Sequence, residues 1–366
     1  MTLSPDEGRA RDFPKRSDET AQRYSLGSSL EKLSLESLKA GRDQEFLSRE
    51  DHATTTKALR QIRRVYMDID GTAVPEGATS FSDETIESFR RATRAGIELT
   101  VGPTGKPFEE AAPLWESLPT DIPVDVIIEK GAYRMHRDEQ GSMTKVYLLA
   151  SPEEEQAIAQ LKAKFYPTAG MPSIGGKLEE EFGIVIVPAG SGAHQAVLSF
   201  DVLKVGSGRD FQNWSLHERN EKKVTDQALL ALVEDRFREL VSKANIAALD
   251  KARIIHLGNG NIELAPEKVE KHLAIRQDIL DRGEDAIAVV GDSGNDRPML
   301  ELAGQGGSIS GCLILHREKA IELAPLVDFI VTGEAQVGVF LDQIVQAKAA
   351  NGLPDLDTFS PENEIG

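Results

Sequence analysis

The sequence predicts an α/β fold, a parallel sheet interrupted by an α+β insert. Apolar runs of strand length alternate with amphipathic helical stretches over residues 64–128. The same rhythm resumes from about residue 265 to 350, and between the two blocks strands cluster with fewer helices. Repeated strand–helix–strand order argues for parallel pairing through right-handed crossovers, and clustered strands argue for an α+β unit. At 366 residues, 40% of them hydrophobic, the chain can bury a sizeable core and form two domains.

Residues 1–60 are polar and charge-rich; Leu30, Leu33, Leu35 and Leu38 could form a short amphipathic helix, but the region reads as a flexible extension. The first strand is Arg64–Met67, which delivers Asp68-Ile69-Asp70-Gly71-Thr72 into a turn. A helix fits 82–95, with Ser82 as N-cap, Ile86, Phe89 and Ala92 at helical spacing, and Gly96 at its end. Ile97–Val101 is the second strand, a helix carries Ala111, Leu114 and Trp115, and Val124–Ile128 is the third strand. In the middle of the chain, 145–149, 183–187, 196–203, 253–257 and 261–264 read as strands, and 152–165 and 221–244 as helices. Then follow a helix at 268–281, a strand at 286–290, the loop GDSGND, a helix at 296–303, a strand at 327–331 and a helix at 335–350. The expected domains are a core of 61–146 and 265–350, an insert of 147–264 and a loose tail of 351–366.

Charge and composition exclude several function classes. With 42 Lys+Arg against 60 Asp+Glu, the net charge of −18 repels phosphate backbones, so no nucleic-acid partner is expected. A single cysteine, Cys312, excludes a disulfide framework and suits a reducing compartment. No histidine pair has HExxH spacing. The longest apolar runs, near GIVIVPA and DAIAVVG, fall far short of the roughly 20 residues a membrane span needs. The N-terminus carries no apolar signal stretch, so the expectation is a soluble, cytoplasmic protein without a membrane partner.

Chemistry concentrates in loops that end strands. Asp68 and Asp70, two apart in an extended segment, would point the same way. At the C-terminal end of a parallel strand such a pair sits where these folds bind ligands, and one acid can serve as nucleophile while the other moves protons. Asp-Gly is also a common turn dipeptide. Gly291-Asp292-Ser293-Gly294-Asn295-Asp296 follows a second apolar strand, and Asp292 and Asp296 are hard oxygen ligands of the kind Mg²⁺ prefers. Thr104 brings a hydroxyl to the same crevice, and Lys271, opening a helix after Pro266, could neutralise anionic charge.

In this order, DxDGT, a strand followed by Thr, a Lys and GDxxND resemble the four motifs of the haloacid dehalogenase superfamily of aspartate-nucleophile phosphatases. The resemblance covers about residues 62–350, and the runs IEKGAYRM, IELAPEKVEKHLAI and GDSGNDRPMLELAG sharpen it toward the Cof-like sugar phosphatases. It implies a Rossmann-like parallel-sheet core with an inserted α+β cap. It also implies a Mg²⁺-dependent phosphomonoesterase acting on a small phosphorylated metabolite, with sugar phosphates favoured. Asp68 would be the nucleophile and Asp70 the general acid and base. Thr104 and Lys271 would contact the phosphoryl group. Mg²⁺ would be held by Asp68, the Asp70 carbonyl and Asp292, with Asn295 and Asp296 behind them.

The sequence departs from the family pattern in two places. Thr104-Gly105-Lys106 stands where TGR is usual, and GGSISGCLIL where a run like GVAMGNA is usual. Lys268 is the alternative to Lys271 in register. In the insert, Lys177, Lys204 and Arg209 are cations near glycine-rich turns and are candidate substrate contacts. Gly102–Pro107 lacks the spacing of a phosphate-binding Walker loop, and GDSG here lacks the separately placed His and Asp of a serine protease. Gly206-Ser-Gly208 lacks the rest of a dinucleotide fingerprint. Two rivals remain open: a sugar phosphomutase of the same superfamily and a non-catalytic sugar-phosphate-binding regulator.

Overall fold

A computed structural model describes residues 46–48, 59–137, 143–166, 172–189, 192–204, 206, 214, 216–256, 260–283, 286–302, 309–314, 329–332 and 337–349. The leucines at 30–38, Arg209 and the tail 351–366 lie outside them. The strands are β1 Phe46–Ser48, β2 Arg64–Met67, β3 Glu98–Val101, β4 Val124–Ile128, β5 Tyr133–Arg137, β6 Met143–Tyr147, β7 Val185–Pro188, β8 Leu198–Leu203, β9 Arg253–His256, β10 Asn261–Ala265, β11 Ile287–Gly291, β12 Ile309–Ile314 and β13 Phe329–Thr332. The α-helices are α1 Asp83–Arg94, α2 Phe108–Glu116, α3 Pro152–Phe165, α4 Ile174–Phe182, α5 Leu216–Lys222, α6 Gln227–Lys243, α7 Lys271–Arg282, α8 Arg297–Leu302 and α9 Val337–Ala349.

Nine strands form one sheet in the order β1-β13-β12-β11-β2-β3-β4-β5-β6. From β13 to β4 every neighbour is parallel, and β1, β5 and β6 add antiparallel edges. The chain builds outward from β2 on one side through β3 and β4, and on the other through β11, β12 and β13. The order therefore reverses between β2 and β11, which makes a crevice at their C-terminal ends. Val65 and Met67 pack into one apolar layer with Phe89 and Phe340, and Tyr66 into the opposite layer with Ile275 and Met299. That alternation is the mark of a sheet covered by helices on both faces.

The second sheet has the order β7-β8-β10-β9, all antiparallel, and lies in the chain between β6 and α7. One face is apolar: Leu198, Phe200, Val202, Ile262 and Leu264 pack with Phe165, Leu178 and Phe237 of α3, α4 and α6. The architecture is thus α/β with an α+β unit between β6 and α7. Among the described residues no helix is long and apolar enough to cross a membrane.

Local chemistry explains the boundaries. The Ser82 hydroxyl accepts from Thr85 N at 3.1 Å at the start of α1, and Ser151 and Glu154 form a reciprocal capping box at α3. The helix predicted over 221–244 is two helices. Val224 N leaves the helix to bond Val202 O at 2.8 Å, and the Asp226 carboxylate then caps α6 by accepting from Ala228 N and Leu229 N. The strand predicted at 145–149 runs 143–147 and belongs to the large sheet. Four elements carried no prediction. Basic residues hide the period of β5, two glycines discourage α4, β12 follows a glycine-rich run, and β1 lies within the segment read as an extension.

Candidate active site

Sheet register fixes the first contacts. Met67 stands opposite Val290, so Asp68 and Asp292 emerge side by side from adjacent parallel strands. The Asp68 N–H donates to Val290 O at 3.0 Å, which holds the loop to β11. The chain then turns at once: Gly71 N donates to Val74 O at 2.8 Å and Val74 N to Ile69 O at 3.0 Å. Strand alternation therefore ends at Met67, and Asp68 and Asp70 do not share a partner. Asp68 is buried against Lys271, whereas Asp70 is a third exposed and pairs with Lys106 at 3.0 Å.

Lys271 sits at the first residue of α7, and its Nζ lies 3.0 Å from Asp68 Oδ2 and 2.8 Å from Asp296 Oδ1. Lys268 is exposed, so of the two lysines Lys271 is the one that reaches the acids. α7 is seated by Asp278, two turns on and fully buried, which takes hydrogen bonds from Tyr66 Oη at 2.8 Å, Arg282 Nε at 3.0 Å and Arg134. Burial alone would raise the Asp278 pKa, but these donors outweigh it and hold the carboxyl below its ordinary value.

Asp296 is saturated on both oxygens. Oδ1 takes Lys271, and Oδ2 accepts from Asp292 N at 3.1 Å, Ser293 N at 3.2 Å and Ser293 Oγ at 3.2 Å. It is a loop organiser and a lysine anchor together. Asp68 Oδ1, by contrast, is buried and has no hydrogen-bond partner among the described residues. Desolvation pushes the Asp68 carboxyl up to about 7, against the pull of the Lys271 ammonium. Burial works the other way on Lys271, but Asp68 and Asp296 outweigh it and hold the ammonium above its ordinary pKa. Asp292 is buried as well, with Thr72 Oγ1 at 3.4 Å from its Oδ1. Gly71, at φ +75°, lets the two loops meet: a Cβ there would lie 2.5 Å from Asp292 Oδ2.

Carboxylate oxygens of Asp68, Asp292 and Asp296 lie within 4.8 Å of one another. Three hard donors suit Mg²⁺. With Asp296 saturated, the residues that fit a cation are Asp68, through its unpartnered Oδ1, and Asp292. Thr104 is buried, held by its N–H to Ile127 O at 3.0 Å, with its Oγ1 accepting from Lys106 N at 3.3 Å.

A cavity of about 430 Å³ opens from Lys271, Gly294, Asn295 and Gly105 toward the second sheet. Its size is that of a small-molecule site. Neither Lys177 nor Lys204 lines it: Lys177 is on the exposed side of α4, and Lys204 donates its Nζ to Glu221 O at 3.0 Å. The wall carries Lys130, Arg253, Glu263, Glu270 and His272. One signal for them was present in the sequence, since Glu263 interrupts an apolar strand. The junction of sheet and insert is tied by Glu129, whose buried carboxylate accepts from Gln195 N at 2.8 Å and Ala196 N at 2.7 Å. His194 Nε2, half-buried in that junction, lies 3.0 Å from Gly105 O.

A profile of the haloacid dehalogenase-like hydrolases matches residues 65–310, about two-thirds of the sequence and nearly all of the described core and insert. The chain belongs to that family. As a haloacid dehalogenase-like hydrolase it is an enzyme. Solved structures similar to it include a Thermoplasma acidophilum protein at 17% identity, covering 77% of this chain and 99% of that one with a TM-score of 0.46. A haloacid dehalogenase-like hydrolase from B. subtilis is 19% identical, with 77% and 99% covered and a TM-score of 0.45. A Streptococcus mutans protein is 16% identical, with 79% and 99% covered and a TM-score of 0.48. No curated protein matches the chain.

Proposed function

We propose that this haloacid dehalogenase-like hydrolase is a Mg²⁺-dependent phosphomonoesterase that forms an aspartyl-phosphate on Asp68, with a small polar phosphate, a sugar phosphate foremost, as substrate. The observation that carries the reading is the Asp68 side chain. One oxygen is fixed by Lys271 and the other is buried without a donor, at a strand end beside Asp292. A carboxylate so held is oriented for attack and is not solvated by water.

In the first half-reaction Asp68 forms a bond to phosphorus as the bond to the leaving oxygen breaks, and Asp70 gives that oxygen its proton. In the second, Asp70 takes a proton from water, the water oxygen bonds to phosphorus, and the Asp68–phosphorus bond breaks to release phosphate. Lys271 and the Thr104 hydroxyl hold the transferring group, and Asp296 holds Lys271. Asp68, Asp292 and the Asp70 carbonyl would hold Mg²⁺, which when bound offsets the repulsion between carboxylate and phosphate. Asn295, on the cavity wall, supports that end of the site. We assign 61–146 and 265–350 to the core and 147–264 to a cap that excludes water and meets the leaving group. The working compartment we propose is the cytoplasm, in keeping with the single cysteine.

Phosphate release across a phosphomonoester panel, with Mg²⁺ and with EDTA, tests the reading on wild type and Asp68→Asn. Mg²⁺-dependent turnover that disappears in the variant is expected. Failure of folded wild-type protein to hydrolyse any ester, or full activity in Asp68→Asn, would sink it.

A further inference from the structure

The face of the second sheet turned away from its apolar cluster is polar and buried. On β10, Ile262 and Leu264 enter the cluster, so Asn261, Glu263 and Ala265 face the other way; on β8, Ser199 and Asp201 share that face. Most of these groups are closed on one another. Lys223 Nζ lies 3.1 Å from Asp201 Oδ1, and Asn261 Nδ2 donates to Asp201 Oδ1 and to Ser199 Oγ, both at 3.1 Å. Glu263 is different. It lines the cavity, and its Oε2 pairs with Lys130, which reaches across from the loop after β4. Its Oε1 meets no protein donor among the described residues.

The four basic side chains on the cavity wall are all engaged. Lys271 serves Asp68 and Asp296, and Lys130 serves Glu263. Arg253 pairs with Glu270 and donates Nη2 to Val269 O at 3.0 Å, and His272 Nδ1 lies 3.1 Å from Glu270. On the phosphomonoesterase reading the phosphate occupies the Lys271 end, beside Asp68. Away from it the wall offers an open carboxylate oxygen, basic groups already paired with carboxylates, and one unpartnered donor, Arg253 Nε, which is itself buried. A second phosphate or carboxylate would face Glu263 at close range or have to break an ion pair. An apolar group would leave that carboxylate desolvated without a donor. Hydroxyl groups satisfy it.

Resting on the phosphomonoesterase reading, we propose that Glu263, positioned by Lys130, is a specificity residue that accepts hydrogen bonds from an uncharged, polyhydroxylated leaving group and rejects one bearing a second anion.

Steady-state kinetics on wild type, Glu263→Gln and Lys130→Met, with a hexitol phosphate, p-nitrophenyl phosphate and a hexose bisphosphate, tests it. Wild type should prefer the hexitol phosphate to the bisphosphate. In Glu263→Gln the ratio of kcat/KM for hexitol phosphate over p-nitrophenyl phosphate should fall by about ten- to hundredfold, the worth of a hydrogen bond to a charged group. The loss should lie mainly in KM, and the bisphosphate should gain relative to the hexitol phosphate as Lys130 is released. Lys130→Met keeps the carboxylate but not its support, and should lower the same ratio by less; it also tests the idea if Glu263→Gln does not fold. Ratios that match wild type in both variants, or a wild-type preference for the bisphosphate, would overturn the assignment alone. Turnover of no ester by folded wild type would overturn the phosphomonoesterase reading and this inference with it.

Discussion

Replacing Lys271 with methionine removes the one cation between two buried carboxylates. Its Nζ lies 3.0 Å from Asp68 and 2.8 Å from Asp296. At an effective dielectric of about 20, a unit pair at about 3 Å interacts by about 5–6 kcal/mol. Two such pairs act here, but desolvation of the ammonium offsets several kcal/mol. The net expectation is a loss of about 3–5 kcal/mol, the usual consequence of breaking a buried pair. The loss must depend on pH. Asp68, already pushed up to about 7 with the lysine present, moves higher without it. An acid whose folded pKa is raised binds more protons folded than unfolded, so its cost to stability is greatest above the folded pKa and shrinks as pH falls toward the ordinary value. The gap between wild type and Lys271→Met should therefore be widest near pH 8 and clearly narrower near pH 5. Urea unfolding followed by circular dichroism, in EDTA at both pH values, measures it. With Mg²⁺ present, kcat should drop by about 10²–10³, as for other transition-state donors. A gap under about 1 kcal/mol at pH 8, or one that widens toward pH 5, would refute the electrostatic argument.

Two further outcomes follow from the same contacts. Glu129 is pushed by burial up to about 7 from 4.5, although three backbone hydrogen bonds from Gln195 and Ala196 pull the other way. Its raised pKa makes stability fall as pH rises through that window, by about 3 kcal/mol at most. Glu129→Gln should flatten this part of the stability–pH curve, which thermal unfolding from pH 4.5 to 8 would reveal; an unchanged slope would count against it. Gly71→Ala puts a Cβ 2.5 Å from Asp292 Oδ2 at a φ of +75°, so Asp292 must move. Mg²⁺ affinity by titration calorimetry should weaken at least about tenfold, with a backbone cost of about 1–3 kcal/mol in unfolding; wild-type affinity would contradict the packing.

The sequence made the sheet and its strand-ending acids legible because their causes are local. An apolar run followed by Asp-rich turn residues reads the same before and after folding, as at Asp68 and Asp292. Lys271 was singled out by the family resemblance, with Lys268 as its alternative, and the structure brings it to Asp68 through the seat that Asp278 makes with Tyr66, 212 residues away in sequence. Where the causes are distant, local reading failed. The break between α5 and α6 needs Val224 to find β8, and the cavity wall needs β9 and β10 to be laid over the loop carrying Lys130. Lys177 and Lys204 resembled ligand contacts because they are cations near glycines, yet a glycine-rich neighbourhood does not say which face of the insert is turned toward the core.

The same dependence on distant contacts separates four chemically identical side chains. Asp278 is held below the ordinary carboxyl range by Arg282, Tyr66 and Arg134, and serves to seat a helix. Asp296 is filled by Lys271 and the Ser293 loop, and serves to hold a lysine and a turn. Asp70 is part-exposed and pairs with Lys106 at 3.0 Å. Of these four, Asp68 alone keeps a buried oxygen with no donor among the described residues. An unpartnered buried carboxylate oxygen costs several kcal/mol unless something binds there. Of the four, it is the one whose environment calls for a ligand, and that difference in partners, rather than the DxDGT spelling, is the physical ground for proposing Asp68 as the nucleophile.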